Sequence, residues 1–346
     1  MRLRIDPANG KGEFVLSRIK AQAIVPLASP DFIPPEPFDI ENGEKVCSAD
    51  VAFFQNPSAW DAWAFLVNNT PIALGHTHSQ LGVLINDQPN LIPLNAGPIS
   101  MEKNANGLQV QTTVQDAEGT TYHLKRTVEP HSHDGTLLMR LSITADRDRE
   151  IYHLPWVTLF PGFTTFGERK TQAIVSGVEY LEDEPSSSEA DFNAEQAERR
   201  IVDDYKLTLP MMALHHEGHY MGLVWNRKDH PAAVFDSPDR VFHSGAHLMG
   251  LWQPGTGDLR MENQFSVLGT FTLNQDVPLQ FEVLLIGDEG KSIVNAIQHY
   301  VALRGLPELP SFEGAFELAT RTPVATVEII RELATAAGST GVVGGQ

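Results

Sequence analysis

Within "ALHHEGHYMGLVW" (213–225), three histidines and a glutamate fall inside five positions. Imidazoles and carboxylates at that density are what a metal centre or an acid–base pair uses. A zinc protease needs His-Glu-x-x-His on a helix, so that both imidazoles leave one face. Here the spacing is His-Glu-Gly-His and the flanks, "LTLPMMALHH" and "HYMGLVWN", read as extended runs. Glu217-Gly218 is then a two-residue turn, with glycine where positive φ is needed. His216 and His219 become a cross-strand pair beside it. The string predicts a hairpin, not a metal site.

Other strings carry chemistry-bearing side chains. "LGHTHSQ" places His76 and His78 on one face of a strand, and "EPHSHDG" reads as a turn closed by Asp134-Gly135. "REIYHLPWVTLFPGF" (149–163) sets Trp156 beside His153 and Pro155. An aromatic face next to polar groups suits a sugar ring, whose C–H faces stack while its hydroxyls hydrogen-bond; a buried core tryptophan is the plain alternative. Glu179, Asp236 and Glu262 are the candidate catalytic carboxyls, because glycoside hydrolysis needs two, one of them held protonated. Trp156, Tyr180 and His247 are the candidate ligand-binding residues. Neither a Gly-x-Ser-x-Gly nucleophile motif nor a glycine-rich phosphate loop is present. No metal and no cofactor is expected.

The elements that must position these groups are mostly strands. "LQVQTTVQD" (108–116), "TYHLKRTVEP" (121–130), "LLMRLSITAD" (137–146), "FSVLGTFTLN" (265–274) and "LQFEVLLIG" (279–287) alternate apolar and polar residues, with turn strings between them. Many strands at short spacing mean an all-β sandwich or barrel. Four prolines in "PDFIPPEPF" (30–38) mark a linker or edge. The polar stretch 182–200 begins as a loop, and Ser188 is a candidate N-cap for a short helix over about 189–200. "KSIVNAIQHYVALRG" (291–305) is helical in pattern, with Ile293, Ile297, Tyr300 and Val301 on one face and Gly305 as a C-cap. "EGAFELATRTPVATVEIIRELATAA" reads as further helix, and 338–346 as a flexible tail. The expected organisation is therefore N-terminal strands and a proline-rich linker over 1–38, a sandwich over 39–290, and helices over 291–337.

The formal net charge is −19 over 346 residues, which argues against nucleic acid and anionic membrane surfaces as partners. It fits a neutral ligand, or simple solubility. One cysteine, Cys47, excludes an internal disulfide framework. No stretch approaches the roughly 20 apolar residues of a membrane helix, and the N-terminal residues lack the apolar run of a signal peptide. A cytoplasmic location is the expectation for the chain as given, and a periplasmic or secreted one if a leader precedes it.

The strings "GVEYLEDEPSSS", "LTLPMMALHHEGHYMGLVW", "AVFDSPDR" and "HLMGLW", followed by "MEN" and further strands, resemble the large β-supersandwich of galactose mutarotase-like type. That domain precedes an (α/α)6 helical toroid in bacterial glycoside hydrolases and polysaccharide lyases. The resemblance covers about residues 40–335. It implies an all-β fold, a large antiparallel supersandwich with a C-terminal helical linker, and a poly- or oligosaccharide ligand. It also implies a C-terminal toroid in a longer parent protein, and in such enzymes the toroid supplies most catalytic residues. Two alternatives stay open: a stand-alone aldose mutarotase or epimerase, and a non-catalytic carbohydrate-binding sandwich. The mutarotases use a His acid and a Glu base, and their motifs match no His or Glu here residue by residue.

Overall fold

Alternation does most of the building. In a computed structural model, the described residues are 27, 28, 30, 42–162, 170–177, 179–182, 192–193, 198–200, 207–236, 247–253, 256–260, 265–267 and 270–304. The chain opens with an antiparallel meander of β1 (Glu44–Ser48), β2 (Val51–Gln55), β3 (Trp63–Val67) and β4 (Thr70–Gly75). β2 and β3 are buried at every position, so both of their faces are covered and their sequences run continuously apolar. The hairpin β5 (Gln80–Ile85) and β6 (Gln88–Pro93) follows, turning on Asn86 and Asp87, both at positive φ. Residues 76–79 are the connection between β4 and β5, so His76 and His78 do not share a strand face as expected. The turn buries His76 and exposes His78.

Next come β7 (Ile99–Asn104), β8 (Gly107–Gln115), β9 (Thr121–Pro130) and β10 (Thr136–Ala145), joined by tight turns. β8, β9 and β10 alternate buried and open positions as their sequences predict. Strand β11 (Arg149–Pro161) is the long central one. It is irregular between Ile151 and His153 and between Pro155 and Val157. Pro155, which cannot donate to a ladder, sits at the second irregularity.

β12 (Gln172–Val175) and β13 (Glu179–Glu182) form another hairpin. β14 (Phe192–Asn193) and β15 (Glu198–Arg200) lie where a short helix was expected. Local composition favoured the helix, but cross-strand pairing decides the outcome. β16 (Met211–His216) and β17 (His219–Trp225) form the hairpin read from the sequence. His216 pairs with His219, and Glu217 and Gly218 take φ of 47° and 80°. β16 begins at Met211 rather than Leu207; the preceding residues, ending in Pro210, are bends.

β18 (Ala232–Asp236), β19 (Leu248–Gln253), β20 (Thr256–Arg260), β21 (Phe265–Val267), β22 (Phe271–Leu273) and β23 (Leu279–Glu289) complete the strands. The run 265–274 is thus two strands. β21 pairs with β20, whereas β22 pairs with β11 in a different sheet. One helix, α1 (Val294–Arg304), follows. Asn295 accepts from the backbone N–H groups of Lys291 and Ser292, and the Ser292 hydroxyl accepts from Val294. The remaining helical expectation, 315–335, and the proline-rich 30–38 lie outside the described residues, apart from Pro30. The chain divides into two units, 1–296 and 297–346. The first carries every sheet.

The first sheet runs β1-β2-β3-β4-β11-β19-β18, with β5 and β22 paired to the N-terminal half of β11 and β6 paired to β5. The second runs β13-β12-β16-β17-β23-β10-β9-β8-β7. A four-stranded sheet, β14-β15-β20-β21, is separate from both. The two large sheets face each other across one core that draws Phe53, Trp63 and Phe65 from the first and Val110, Met139 and Leu285 from the second. This is an all-β, antiparallel sandwich, as read from the sequence. Each such side chain contributes about 1.5–3 kcal/mol by leaving water.

A polar pin crosses the core. Arg126 of β9 donates to Asp61 at 2.8 Å, to the Trp60 carbonyl at 2.9 Å and to Gln55 of β2 at 3.2 Å. Its guanidinium lies 4.3 Å from the centre of the Trp60 ring. Burial pulls the Arg126 pKa down, and Asp61 pulls it back up. Burial likewise pushes the Asp61 carboxyl up, against the lowering effect of Arg126. In an ion pair so deep, the cost of taking both charges out of water offsets most of their attraction.

Candidate functional site

The outer face of the second sheet is polar over one stretch of its central strands, bordered by the apolar pair Leu138 and Leu284. Arg140 and Ser142 of β10 stand directly opposite Glu282 and Gln280 of β23. On the other side they stand opposite Thr127 and Lys125 of β9. Directly opposed residues share a face and lie within side-chain reach. Beyond β17, a single 3-10 turn (Arg227–Asp229) rises from the sheet edge. Asn226 caps it, its side chain accepting from the Lys228 N–H at 3.1 Å. Asn226 and Asp229 then wall one side of a groove of about 520 Å³ whose floor is the six strand residues just named.

Leu141 and Phe281 also border this groove, on strand positions whose side chains pack into the core. Phe281 is backed from inside the core by Trp156, the two rings stacked 5.4 Å apart and 10° from parallel. The Trp156 indole N–H donates to Gln253 at 2.9 Å. Trp156 is thus a buried residue that stiffens the floor rather than a surface on which a ligand lies.

Charges in the groove are partly committed. Arg140 donates to Glu129 at 2.8 Å and to Glu282 at 3.1 Å, and Glu129 is the main reason its pKa is raised. Asp229 is half-buried, and burial raises its pKa; the Glu282 charge raises it further, and His230 lowers it. Among the described residues, no side-chain hydrogen bond occupies Lys125, Thr127, Ser142 or Gln280. The groove therefore offers an amine, two hydroxyls, two amides and a carboxyl to whatever enters it.

A second polar cluster is closed. On the first sheet Thr158, Phe160 and Trp252 alternate with core residues and are nevertheless buried. Trp252 donates to the Thr158 hydroxyl at 2.8 Å. The His153 ring meets Trp252 edge-on at 5.2 Å, and His76 meets Phe160 at 5.5 Å. Burial, with a smaller push from His76, lowers the His153 pKa to about 3. Tyr152 reaches the Ala28 carbonyl at 3.3 Å. These groups are interior structure.

Of the residues singled out from the sequence, Trp156, Tyr180 and His247 have described side chains, and these lie apart on β11, on β13 and ahead of β19. Tyr180 is on β13, exposed, its hydroxyl accepting from Gln172 at 2.9 Å. His247 is fully buried just ahead of β19. The backbones of Glu179 and Asp236 sit in β13 and β18, but their side chains lie outside the described residues, as does all of Glu262. Neither Tyr180 nor His247 is among the described residues that line the groove. Among the described residues no three His, Cys, Asp or Glu side chains converge as metal ligands. No described helix is long and apolar enough to cross a membrane.

No protein-family model matches the chain, and no curated protein matches it. Among solved structures it aligns with an α-N-acetylgalactosaminidase from Bifidobacterium bifidum at 12% identity and a TM-score of 0.47, covering 76% of this chain and 39% of that one. A family 36 α-galactosidase from Geobacillus stearothermophilus aligns at 10% identity and 0.44, covering 78% and 43%. A Synechocystis protein aligns at 8% identity and 0.45, covering 77% of this chain and all of that one. The chain spans about two fifths of the length of the two glycosidases. Likeness at this level carries no argument about what the present chain does.

Proposed function

We propose that the chain is a carbohydrate-binding β-sandwich that seats a saccharide in the groove over β9, β10 and β23. The observation that carries this reading is the donor and acceptor set of the groove. Hydroxyl, amide, ammonium and carboxyl groups converge on one concavity with their hydrogen bonds largely unspent. A polyhydroxylated ligand takes such a set because each hydroxyl both donates and accepts. The sequence resemblance to sandwiches of hydrolases and lyases supports the same ligand class. It also supports a role as the N-terminal part of a larger enzyme whose helical domain supplies the chemistry.

A catalytic reading has one observation in its favour, the raised Asp229 carboxyl beside Glu282. One experiment addresses both. The purified chain is incubated with a panel of oligosaccharides while bound ligand and released or isomerised sugar are followed. The expected result is binding without turnover, weakened about tenfold in Asp229→Ala, since a hydrogen bond to a charged group is worth about 1.5–3 kcal/mol, and about fivefold in Gln280→Ala, where the bond is neutral and worth about 0.5–1.5 kcal/mol. Turnover abolished in Asp229→Asn transfers the case to the catalytic reading. Binding indifferent to both alanine variants removes the groove from consideration.

A further inference from the structure

The groove does not end at β9. Lys125 stands opposite Gln111 of β8, and Gln111 opposite Ser100 of β7. Thr127 stands opposite Gln109, and Gln109 opposite Glu102. Two unbroken polar ladders therefore cross five adjacent strands, from β23 through β10, β9 and β8 to β7. At about 4.8 Å between strands they span about 19 Å. One is Gln280–Ser142–Lys125–Gln111–Ser100, the other Glu282–Arg140–Thr127–Gln109–Glu102.

Three features set this face apart from an ordinary solvated sheet. Neutral amides and hydroxyls fill six of the ten rungs, and the four charged ones balance, two of each sign, on a chain of net charge −19. Gln109 and Gln111, like the groove residues, make no side-chain hydrogen bond to another described residue. Large exposed apolar side chains are absent: among the described residues those are Tyr180, Val277 and Val294, none on these strands' ladders. A protein partner would need an apolar anchor, and a nucleic acid would need excess positive charge.

We infer that the ladders bind an internal stretch of a linear, neutral polysaccharide, laid across the strands from the groove outward over β8 and β7. The inference rests on the carbohydrate reading and extends it: the ligand is a chain held along several units, not a free monosaccharide or a chain end. Each further unit crossing the face meets another pair of rungs, so affinity must grow with length.

The test is calorimetric titration of the full chain with mono- to hexasaccharide series of neutral glucans, xylans and galactans. In the best-bound series the hexasaccharide should bind at least about tenfold more tightly than the disaccharide, as a few added hydrogen bonds imply. The double variant Gln109→Ala/Gln111→Ala, checked for a native melting curve, should lose most of that gain. Equal affinity for disaccharide and hexasaccharide, or a length gain kept in the double variant, overturns the inference and leaves a short-saccharide site standing. Binding by no member of any series overturns both readings.

Discussion

His153 is a buried imidazole whose protonation the fold opposes. Burial lowers its folded-state pKa from 6.5 to about 3, with His76 adding to the effect. Trp252 meets the ring edge-on at 5.2 Å. In the unfolded chain the same ring takes a proton as the pH drops below 6.5, while the folded chain refuses it until about 3. The unfolded state therefore binds more protons between those values, and stability rises with pH across that window. The contribution is complete above 6.5 and falls by on the order of a few kcal/mol on the way down. Urea unfolding at pH 7 and pH 4.5 should show a lower midpoint at the acid end. His153→Gln should flatten that difference whatever it does to stability at neutral pH. An unchanged slope in the variant would assign the acid loss to other groups.

At the scale of elements, the β16–β17 hairpin shows what a sequence specifies well. Its turn needs two residues at positive φ, and only one of them is glycine. A Cβ at Gly218 would meet nothing within 4 Å, so Gly218→Ala costs backbone strain alone, about 1 kcal/mol. Glu217→Asn should return a few tenths, since asparagine tolerates that region. Chemical denaturation of the two variants checks the opposite signs. Strands β8, β9, β10 and β23 were equally legible, because each carries its own alternation and its own turn. What alternation cannot give is partnership. Arg140 and Glu282 are hydrogen-bonded across 142 positions of sequence, and nothing local announces it. The groove was invisible for that reason, although its residues lie in strands already recognised. Candidates chosen by chemical type, such as Trp156 and His247, are buried in the structure. The helix expected over 189–200 failed for a related reason: Glu198 to Arg200 are claimed as strand by Asp258 to Arg260.

Taken as a whole, the molecule combines a strongly negative chain with ladders whose own charges balance. Those two facts make different demands on salt. Self-repulsion among unpaired carboxylates weakens the compact state, and it is screened as the Debye length shortens from about 30 Å at 0.01 M to about 3 Å at 1 M. Raising sodium chloride over that range should therefore raise the melting temperature by about 2–4 °C, the shift expected for about 1 kcal/mol in a domain of this size. Ligand binding should not follow. The ladders carry Lys125 and Arg140 against Glu102 and Glu282, and the neighbouring Glu129 and Asp229 add only negative charge, so the face has no excess positive charge to draw an anion. A neutral saccharide brings none of its own, and its hydrogen bonds are indifferent to screening. Its affinity should change by less than about twofold between the two salt conditions, measured in parallel with the melting curves. Affinity that collapses with salt while the melting temperature rises would mean that the ligand is charged and that Lys125, not the amide rungs, sets its choice.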